Sequence, residues 1–327
     1  MNPTDRPLVE PDSPLDQIIS TRSHCGQLYQ YAAVLLGIKP AIDDWLPVHT
    51  VPAFLATCRA LGLFVETDVV FLDLPEDAIV SGASRLCTTR ADALIWDPSA
   101  DYPSGAQLHV FAGLEQSAVK EAWRRGWYPV VINGQVVDKP LTDFIAFGRS
   151  LGYPACCIEA FSKHNDWRRS NSYEVAWERT RLTASALTNP FGRHTPWSYI
   201  FHLPCSFDCS ATKEYSKALR ESLHKEQPGY AKQIESFNKL IFFVTNENRA
   251  YALQGELKNP DQAHYRSSFF LGGLKREDVY GPLLARGNEL SIRDNLVFVL
   301  QNGELKGIIE TRSDCFGPEA PLLIQFE

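Results

Sequence analysis

The sequence lacks the features that place a protein in a membrane or direct it to secretion. Its apolar stretch near the start, residues 31–38, is far shorter than the ~20 residues that a helix needs to cross a bilayer. It has no basic leader followed by an apolar core and a small-residue cleavage site. Residues 1–14 contain four prolines, typical of a flexible tail. We therefore expect a cytoplasmic protein without a membrane partner.

Positive charge and phosphate-binding glycine loops are also scarce. The chain carries 32 Lys and Arg against 39 Asp and Glu, a formal net charge of −7. Proteins that bind nucleic acids depend on basic surfaces to contact phosphates, so DNA and RNA are not expected partners. No G-x-G-x-x-G or Walker-type loop follows a predicted strand, which leaves nucleotide binding by those routes unsupported.

The chain has the composition of an ordinary globular protein of mixed structure. Hydrophobic residues make up 44% of it and charged residues 22%. Helical periodicity at 15–36, 52–61 and 114–125 alternates with β-rich runs at 68–74, 92–96, 108–111 and 128–132. This pattern predicts an α/β unit over residues 15–140, followed by a mainly helical segment over 141–235.

Residues 236–327 are β-rich and read as antiparallel hairpins. The strongest hairpin signal is Asn302-Gly303, because these two residues readily adopt the positive φ angles of a type I′ turn. The predicted fold class is therefore α/β or α+β, with a helical cysteine-rich segment between two strand-containing units.

The eight cysteines divide into scattered and clustered groups. Thiols are kept reduced in the cytosol, so patterned cysteines there indicate metal or redox chemistry rather than disulfides. The scattered cysteines are expected to be small core residues: Cys25, Cys58, Cys87 and Cys315. The clustered cysteines are Cys156, Cys157, Cys205 and Cys209. They lie in two stretches, and in each stretch a proline precedes the cysteines and a predicted helix follows them.

Both cysteine stretches are expected to lie at helix N-termini. Pro154 suits a first helical turn, and Ser206 or Asp208 can cap a helix that begins near Cys209. Unsatisfied N–H groups and the positive end of the helix dipole lower the pKa of a thiol, which makes it a better metal ligand.

Four thiolates suit either zinc or an iron–sulfur cluster. Adjacent helical side chains diverge by about 100°, so Cys156 and Cys157 are expected to reach a multi-iron cluster more easily than one small ion. Neither pair has the C-x-x-C form of a zinc knuckle. These points favour a 4Fe-4S cluster. Three alternatives remain open: a structural zinc site, with His202 as a possible ligand, a Cys156–Cys157 redox pair, and ordinary buried cysteines.

The leading hypothesis is an iron–sulfur enzyme that acts on a small polar metabolite. If one of the adjacent cysteines does not ligate, an open iron can act as a Lewis acid, with the spare cysteine or His202 as an exchangeable group. Glu159 is a candidate acid or base, and Arg193 a candidate for holding an anionic substrate. Redox chemistry would require an electron-donor protein. The alternative is a zinc-stabilised protein that binds a ligand or partner without catalysis. Further basic candidates are Arg168, Arg169 and Lys213.

Residues 151–161, L-G-Y-P-A-C-C-I-E-A-F, and 203–210, L-P-C-S-F-D-C-S, resemble a prokaryotic domain-of-unknown-function family with a G-Y-P-x-C-C signature. The resemblance covers about residues 105–225. It implies that the four clustered cysteines form one site. A looser similarity exists to the paired-cysteine motifs of heterodisulfide-reductase-type cluster proteins.

Overall fold

The computed structural model describes most of the chain in two compact units. The first, here the N-terminal unit, comprises Glu10–Cys25 and Gln30–Tyr153, and the second, here the C-terminal unit, comprises Met1–Val9, Gly26–Tyr29 and Pro154–Glu327. The four-part division predicted from the sequence stays a prediction. The described residues are 5–73, 91–102, 105–126, 129–132, 135–138, 143–164, 171–246, 249–271, 278–311 and 319–327.

Helices and strands are mixed along the described residues. The helices are α1 (Pro14–Ser20), α2 (Leu28–Leu35), α3 (Val51–Ala60), α4 (Gln116–Arg125), α5 (Phe144–Ser150), α6 (Ala155–His164), α7 (Ser172–Glu178), α8 (Ser210–Glu226), α9 (Pro228–Asn238) and α10 (Gly281–Leu284). The strands are β1 (Ile42–Pro47), β2 (Phe64–Asp73), β3 (Ala91–Ile95), β4 (Gln107–Gly113), β5 (Pro129–Ile132), β6 (Gln135–Asp138), β7 (Ile241–Asn246), β8 (Arg249–Asn259), β9 (Gln262–Phe270), β10 (Glu289–Arg293), β11 (Leu296–Gln301), β12 (Glu304–Glu310) and β13 (Leu322–Gln325). Among the described residues, no helix is both long and apolar enough to cross a membrane.

The N-terminal unit contains a four-stranded sheet in the order β1-β4-β2-β3, in which every neighbouring pair is antiparallel. Of the two predicted fold classes, α+β is therefore the one observed. Strands β1 and β2 both run antiparallel to β4, so they run parallel to each other and are joined by α3. The alternation of strand and helix thus reflects a real crossover. A later strand, β4, lies between these two parallel strands, so every hydrogen-bonded pair in the sheet is antiparallel.

The helix predicted over residues 15–36 is interrupted. Helix α1 ends at Ser20, and its C-cap Thr21 donates its amide to the carbonyl of Ile18. Gln27, just before α2, has a φ of 63°, which a helix cannot accommodate. The apolar spacing in the sequence continues across this break because α1 and α2 each bury an apolar face.

The C-terminal unit contains a seven-stranded antiparallel sheet in the order β12-β11-β10-β9-β8-β7-β13. The hairpin between β11 and β12 turns at Asn302 and Gly303, with φ angles of 53° and 81°. Both positive angles agree with the predicted type I′ turn.

Strand β7 is buried on both faces, and this burial connects the sheet to the cysteine-bearing segment. Ile241 and Phe243 belong to the apolar core on one face of the sheet. On the other face, the ring of Phe242 stacks 5.2 Å from that of Phe191 and lies 5.7 Å from that of Phe326. Aromatic pairs at such distances add to the stability gained from burying apolar area.

The G-Y-P part of the signature explains how one helix ends and the next begins. Gly152 has a φ of 76°, and its amide donates to the carbonyl of Arg149 at the end of α5. A Cβ at this position would lie 2.6 Å from Cδ of Pro40, so a larger residue would both strain the backbone and clash. Pro154 then precedes the first residue of α6. Because α5 ends before Gly152 and α6 begins directly after Pro154, Cys156 and Cys157 lie in the first turn of α6.

Candidate metal centre

Cys156 and Cys157 occupy the first turn of α6, as the sequence predicts. The carbonyl of Pro154 accepts hydrogen bonds from the amides of Cys157 and Ile158, both at 3.0 Å, and so starts the helix. Cys156 is exposed, whereas the side chain of Cys157 is buried. One sulfur therefore faces solvent and its neighbour faces the interior.

Cys205 and Cys209 lie in a loop that Phe207 anchors between them. The Phe207 amide donates to Oγ1 of Thr180 at 2.9 Å, and its carbonyl accepts from Oγ1 of Thr188 at 2.6 Å. Both backbone polar groups of this buried residue are thus satisfied. These bonds determine where the loop presents its two cysteines.

The side chain of Phe207 holds the loop as firmly as its backbone does. The ring is fully buried and lies 5.9 Å from Phe191 and 5.5 Å from Phe326, centroid to centroid. The same two rings pack on Phe242 of β7. The cysteine loop is therefore attached to the sheet core through one aromatic cluster.

The start of α8 differs from the capping prediction. Cys209 itself is the N-cap residue, and neither Ser206 nor Asp208 caps the helix. Instead, Oδ2 of Asp208 accepts the amides of Arg181 and Leu182 at 3.2 and 3.1 Å, and Oδ1 accepts the Ser206 hydroxyl at 2.6 Å. The carboxylate is engaged by a neighbouring loop, which leaves a sulfur at the positive end of the helix dipole.

The four clustered cysteines converge, although they come from two segments of the chain. The Sγ atoms of Cys156 and Cys209 are 3.7 Å apart, those of Cys157 and Cys209 3.7 Å, and those of Cys156 and Cys157 3.9 Å. With Cys205 included, all four sulfurs lie within 4.8 Å of one another. The group can bind a metal ion.

Cys156 and Cys157 were expected to reach a multi-iron cluster more easily than one small ion, yet their sulfurs lie on the same side. Their sulfurs are 3.9 Å apart, close to the distance between two ligands of a single ion. Cβ vectors diverge along a helix, but rotation about χ1 brings the sulfurs of Cys156 and Cys157 to the same side.

The sulfur of Cys157 has two further hydrogen-bond partners besides the other sulfurs. The amide of Cys205 donates to it at 3.4 Å, and Oγ1 of Thr212 lies 3.2 Å from it. The same Thr212 oxygen is 3.0 Å from Nε2 of His202. Both Thr212 and His202 are buried, so this chain of contacts supports the sulfur from the interior side.

The thiols compete for protons. Hydrogen bonds with Cys205 and Cys209, reinforced by burial, raise the pKa of the Cys157 thiol. Hydrogen bonds with Cys157 and Cys205 lower the pKa of the Cys209 thiol, against the opposing effect of burial. Binding of a cation to this group would displace the remaining thiol protons.

The three predicted catalytic residues have different contacts in the structure. His202 lies behind Thr212, as described above. Glu159 forms an exposed ion pair with Lys163, 2.6 Å between Oε1 and Nζ. Nε of Arg193 donates to Nε2 of His194 at 3.1 Å, and its guanidinium lies 5.7 Å from the Tyr173 ring. The roles predicted for Glu159, His202 and Arg193 stay predictions. Arg168 and Arg169 lie outside the described residues.

Of the scattered cysteines, the structure describes Cys25 and Cys58, and neither belongs to the group of four sulfurs. Cys58 is fully buried, as expected of a core residue, whereas Cys25 is half-buried. Cys87 and Cys315 lie outside the described residues. The described cysteines are all free thiols.

A small surface cleft adjoins the site at Cys205. It lies between α6, α7 and the segment 203–205. Sequence reasoning missed two features. One is this cleft with the polar residues in its walls, and the other is Thr212. Thr212 lies three residues after Cys209 on α8, a spacing that indicates a shared helix face. The cleft residues carry no comparable signal. Its lining residues are Ala160, Phe161, His164, Ser172, Val175, Ala176, Arg179, Leu203, Pro204 and Cys205.

No protein-family model matches the chain, and no similar protein was found among curated sequences or solved structures. The resemblance to a family with a G-Y-P-x-C-C signature thus stays a prediction. The function of the site has to be inferred from its own chemistry.

Proposed function

We propose that the four cysteines hold a single zinc ion in a tetrahedral four-thiolate site. The observation that supports this proposal is the spacing of the sulfurs. Four sulfurs placed about 2.3 Å from one zinc ion at tetrahedral angles lie about 3.8 Å from one another. Three of the sulfur–sulfur distances here are 3.7, 3.7 and 3.9 Å.

The same spacing is less suited to a 4Fe-4S cluster. In such a cluster each cysteine binds a different iron, so the sulfurs stand around a larger body and lie further apart than around one ion. All four sulfurs here lie within 4.8 Å of one another. A multi-iron cluster would require the loop carrying Cys205 and Cys209 to move away from α6, against the packing of Phe207.

The surroundings of the sulfurs also suit a thiolate-rich centre. Zinc bound to four thiolates carries a net negative charge, which the N-termini of α6 and α8 and the Cys205 amide offset. Threonine and histidine behind Cys157 complete an outer shell of the kind that orients metal ligands.

A closed four-thiolate site has a structural role. Zinc sites with four protein ligands stabilise folds, whereas catalytic zinc keeps a position open for water. Here the ion would join the first turn of α6 to the start of α8. Because a metal that binds only the folded chain adds its binding free energy to stability, the C-terminal unit would depend on it.

An iron–sulfur enzyme acting on a small polar metabolite is the second candidate. The cleft at Cys205 and the exposure of Cys156 favour it, because a purely structural ion needs neither. In that case the protein would also need an electron-donor partner if its chemistry is redox.

Metal analysis of the full-length protein, purified without oxygen and without added metal, tests both candidates. We expect a colourless protein with one zinc ion per chain. Replacing zinc with Co²⁺ should give the visible absorption of a tetrahedral thiolate complex. A brown protein that contains iron and acid-labile sulfide would replace the zinc proposal with the iron–sulfur one. Protein free of both metals would overturn both and leave the cysteines as buried thiols or a redox pair.

A further inference from the structure

One of the four clustered cysteines is an exposed residue. Cys157 and Cys209 are only 2% and 6% exposed, and Cys205 is partly buried. A metal ion with a purely structural role needs no ligand at the surface, because its four protein ligands close the site. The exposure of Cys156 therefore gives this ligand a contact with solutes that the buried sulfurs lack.

A metal-bound cysteine in such a position is chemically reactive. Coordination keeps the sulfur deprotonated, and the thiolate is the form of cysteine that attacks electrophiles. Oxidation of cysteine by peroxides follows thiolate character and exposure. Cys156 would have both properties, since it belongs to the group of four sulfurs and is exposed. Within this group, Cys156 is expected to react first.

The sulfur best placed to form a disulfide with Cys156 is that of Cys209. The two Sγ atoms are 3.7 Å apart, although the residues are 53 positions apart in the chain. Sγ of Cys157 is nearly as close to Cys156, at 3.9 Å. Neighbouring Cα atoms, however, are about 3.8 Å apart, whereas disulfides usually need a Cα separation of about 4.4–6.8 Å. The adjacent pair is therefore the less favourable one.

We propose that Cys156 is a site of reversible oxidation by peroxides, and that a disulfide between Cys156 and Cys209 releases the zinc ion. This inference rests on the proposed zinc site. In the first step the thiolate of Cys156 attacks hydrogen peroxide, so an S–O bond forms, the O–O bond breaks and hydroxide leaves. In the second step the thiolate of Cys209 attacks the sulfenic acid, so an S–S bond forms, the S–O bond breaks and a second hydroxide leaves.

The electrons and protons of this reaction balance. Peroxide gains two electrons, one from each sulfur, and the two hydroxides take up protons to become water. The disulfide leaves zinc with the two thiolates of Cys157 and Cys205, half of its four ligands. A covalent bond then joins the first turn of α6 to the N-cap of α8 in place of the ion. The site thus has a zinc-linked and a disulfide-linked state.

The simpler interpretation is a structural ion whose ligands meet peroxide only when the protein unfolds. In that case the buried sulfurs become accessible together with Cys156, and Cys157 is modified as early as Cys156. The order in which the cysteines are modified therefore distinguishes the two interpretations.

Hydrogen peroxide added to the zinc-loaded, full-length protein tests the proposal. A chromogenic chelator reports free zinc, and mass spectrometry of alkylated peptides locates the oxidised sulfurs. We expect release of one zinc ion per chain together with a Cys156–Cys209 disulfide. Dithiothreitol with added zinc should restore the starting state, because a disulfide is reversible whereas sulfinic acid is not.

Two variants sharpen this test, with each rate taken as the difference between samples with and without peroxide. Cys156→Ser should release zinc roughly tenfold more slowly, because the remaining thiolates are less accessible. Cys25→Ser removes a half-buried thiol of the N-terminal unit and should release zinc at the natural rate. If Cys156→Ser holds too little zinc to measure, the order of modification in the natural protein decides.

The outcomes separate this inference from the zinc proposal. Protein that holds no zinc before peroxide is added would contradict the zinc site, and this inference with it. Zinc-loaded protein that keeps its ion in peroxide, or in which Cys157 is modified as early as Cys156, would overturn only the inference. A disulfide that joins Cys156 to Cys157 or Cys205 would also overturn it.

Discussion

Sγ of Cys157 and Oγ1 of Thr212 lie 3.2 Å apart, and the Thr212 hydroxyl is also 3.0 Å from Nε2 of His202. The hydroxyl can therefore donate to the sulfur while it accepts from the ring. Through this one oxygen the buried histidine is connected to the sulfur of Cys157. Hydrogen bonds to a thiolate reduce its charge and determine its orientation, so Thr212 is a positioning residue for the centre.

Removal of the Thr212 hydroxyl should weaken both the fold and metal binding. Thr212→Val preserves the shape of the side chain but leaves a buried sulfur and a buried imidazole without their shared partner, at a cost of about 1–3 kcal/mol. Metal affinity should fall roughly 10–100-fold, the usual effect of losing an outer-shell partner. Urea unfolding and competition with a chromogenic chelator measure the two effects.

Thr212→Ser is the matched control, because it keeps the hydroxyl and removes only a methyl group. It should retain metal affinity near that of the natural protein. If Thr212→Val and Thr212→Ser have the same affinity, the hydroxyl has no part in positioning Cys157.

The cysteines should differ in how far their loss affects metal binding. Cys157→Ser and Cys209→Ser alter buried sulfurs and should abolish stoichiometric metal binding. Cys156→Ser alters an exposed position, where water can replace the ligand, so it should bind metal with reduced affinity. Elemental analysis of the purified variants after dialysis against a weak chelator makes this comparison.

Two variants control for general effects of substitution. Cys25→Ser changes a cysteine of the N-terminal unit, and Glu159→Gln changes an exposed residue of α6 that pairs with Lys163. Both should keep full metal content. Full metal content in all four single variants of the clustered cysteines would contradict the proposed site.

Asn171 should be important for the stability of the C-terminal unit. Its Oδ1 accepts the amide of Tyr173 at 3.1 Å as the N-cap of α7, and its Nδ2 donates to the carbonyl of Thr245 in β7 at 2.7 Å. Asn171→Ala removes the cap and one of two donors to the Thr245 carbonyl, which keeps the amide of Ala320 at 2.9 Å, so the free energy of unfolding should fall by about 1–3 kcal/mol.

Asn171→Ser separates the two contributions of this side chain. The hydroxyl can still accept an amide at the start of α7 and is too short to donate to Thr245, so stability in urea unfolding should lie between those of Asn171→Ala and the natural protein. An Asn171→Ser variant no more stable than Asn171→Ala would mean that the cap contributes nothing.

Lys39 should make the stability of the N-terminal unit depend on pH. Burial lowers its pKa to about 7, against the opposing attraction of Asp43, although Nζ donates to Oε1 of Gln30 at 2.6 Å. In the unfolded chain the amine keeps its usual pKa of about 10.4, so between pH 7 and 9 the unfolded state binds more protons. Stability attributable to Lys39 therefore rises with pH over this interval, by about 2 kcal/mol.

Comparison with Lys39→Met isolates this contribution. Other groups titrate in both proteins, so the difference in unfolding free energy between them should shift by about 2 kcal/mol in favour of the natural protein from pH 7 to pH 9. A constant difference across this interval would show that Lys39 stays charged in the folded chain.

Local features of the fold follow from residues that are close in the sequence. Asn302 and Gly303 favour positive φ, and the structure has both. Pro154, two residues before Cys156, predicts the first turn of a helix, and Cys156 and Cys157 lie in that turn. Such features depend on intrinsic backbone preferences, which act whatever the rest of the chain does.

Capping was harder to predict, because it depends on competition between partners. Asp208 and Ser206 have the right chemistry to cap α8, yet the amides of Arg181 and Leu182 engage the carboxylate instead. Those amides come from a loop that is distant in sequence. No sequence pattern near Cys209 indicates that these two amides donate to Asp208.

The sequence by itself determined which cysteines form a group, where two of them lie on a helix, and how the C-terminal hairpin turns. Only the tertiary structure decided that β4 inserts between β1 and β2, and that sulfurs 52 and 53 residues apart approach to 3.7 Å. The physical reason is that sulfur spacing depends on how Phe207 packs against Phe191 and Phe326. Long-range packing of this kind leaves no local pattern, and our proposal of one small ion in place of a multi-iron cluster depends on it.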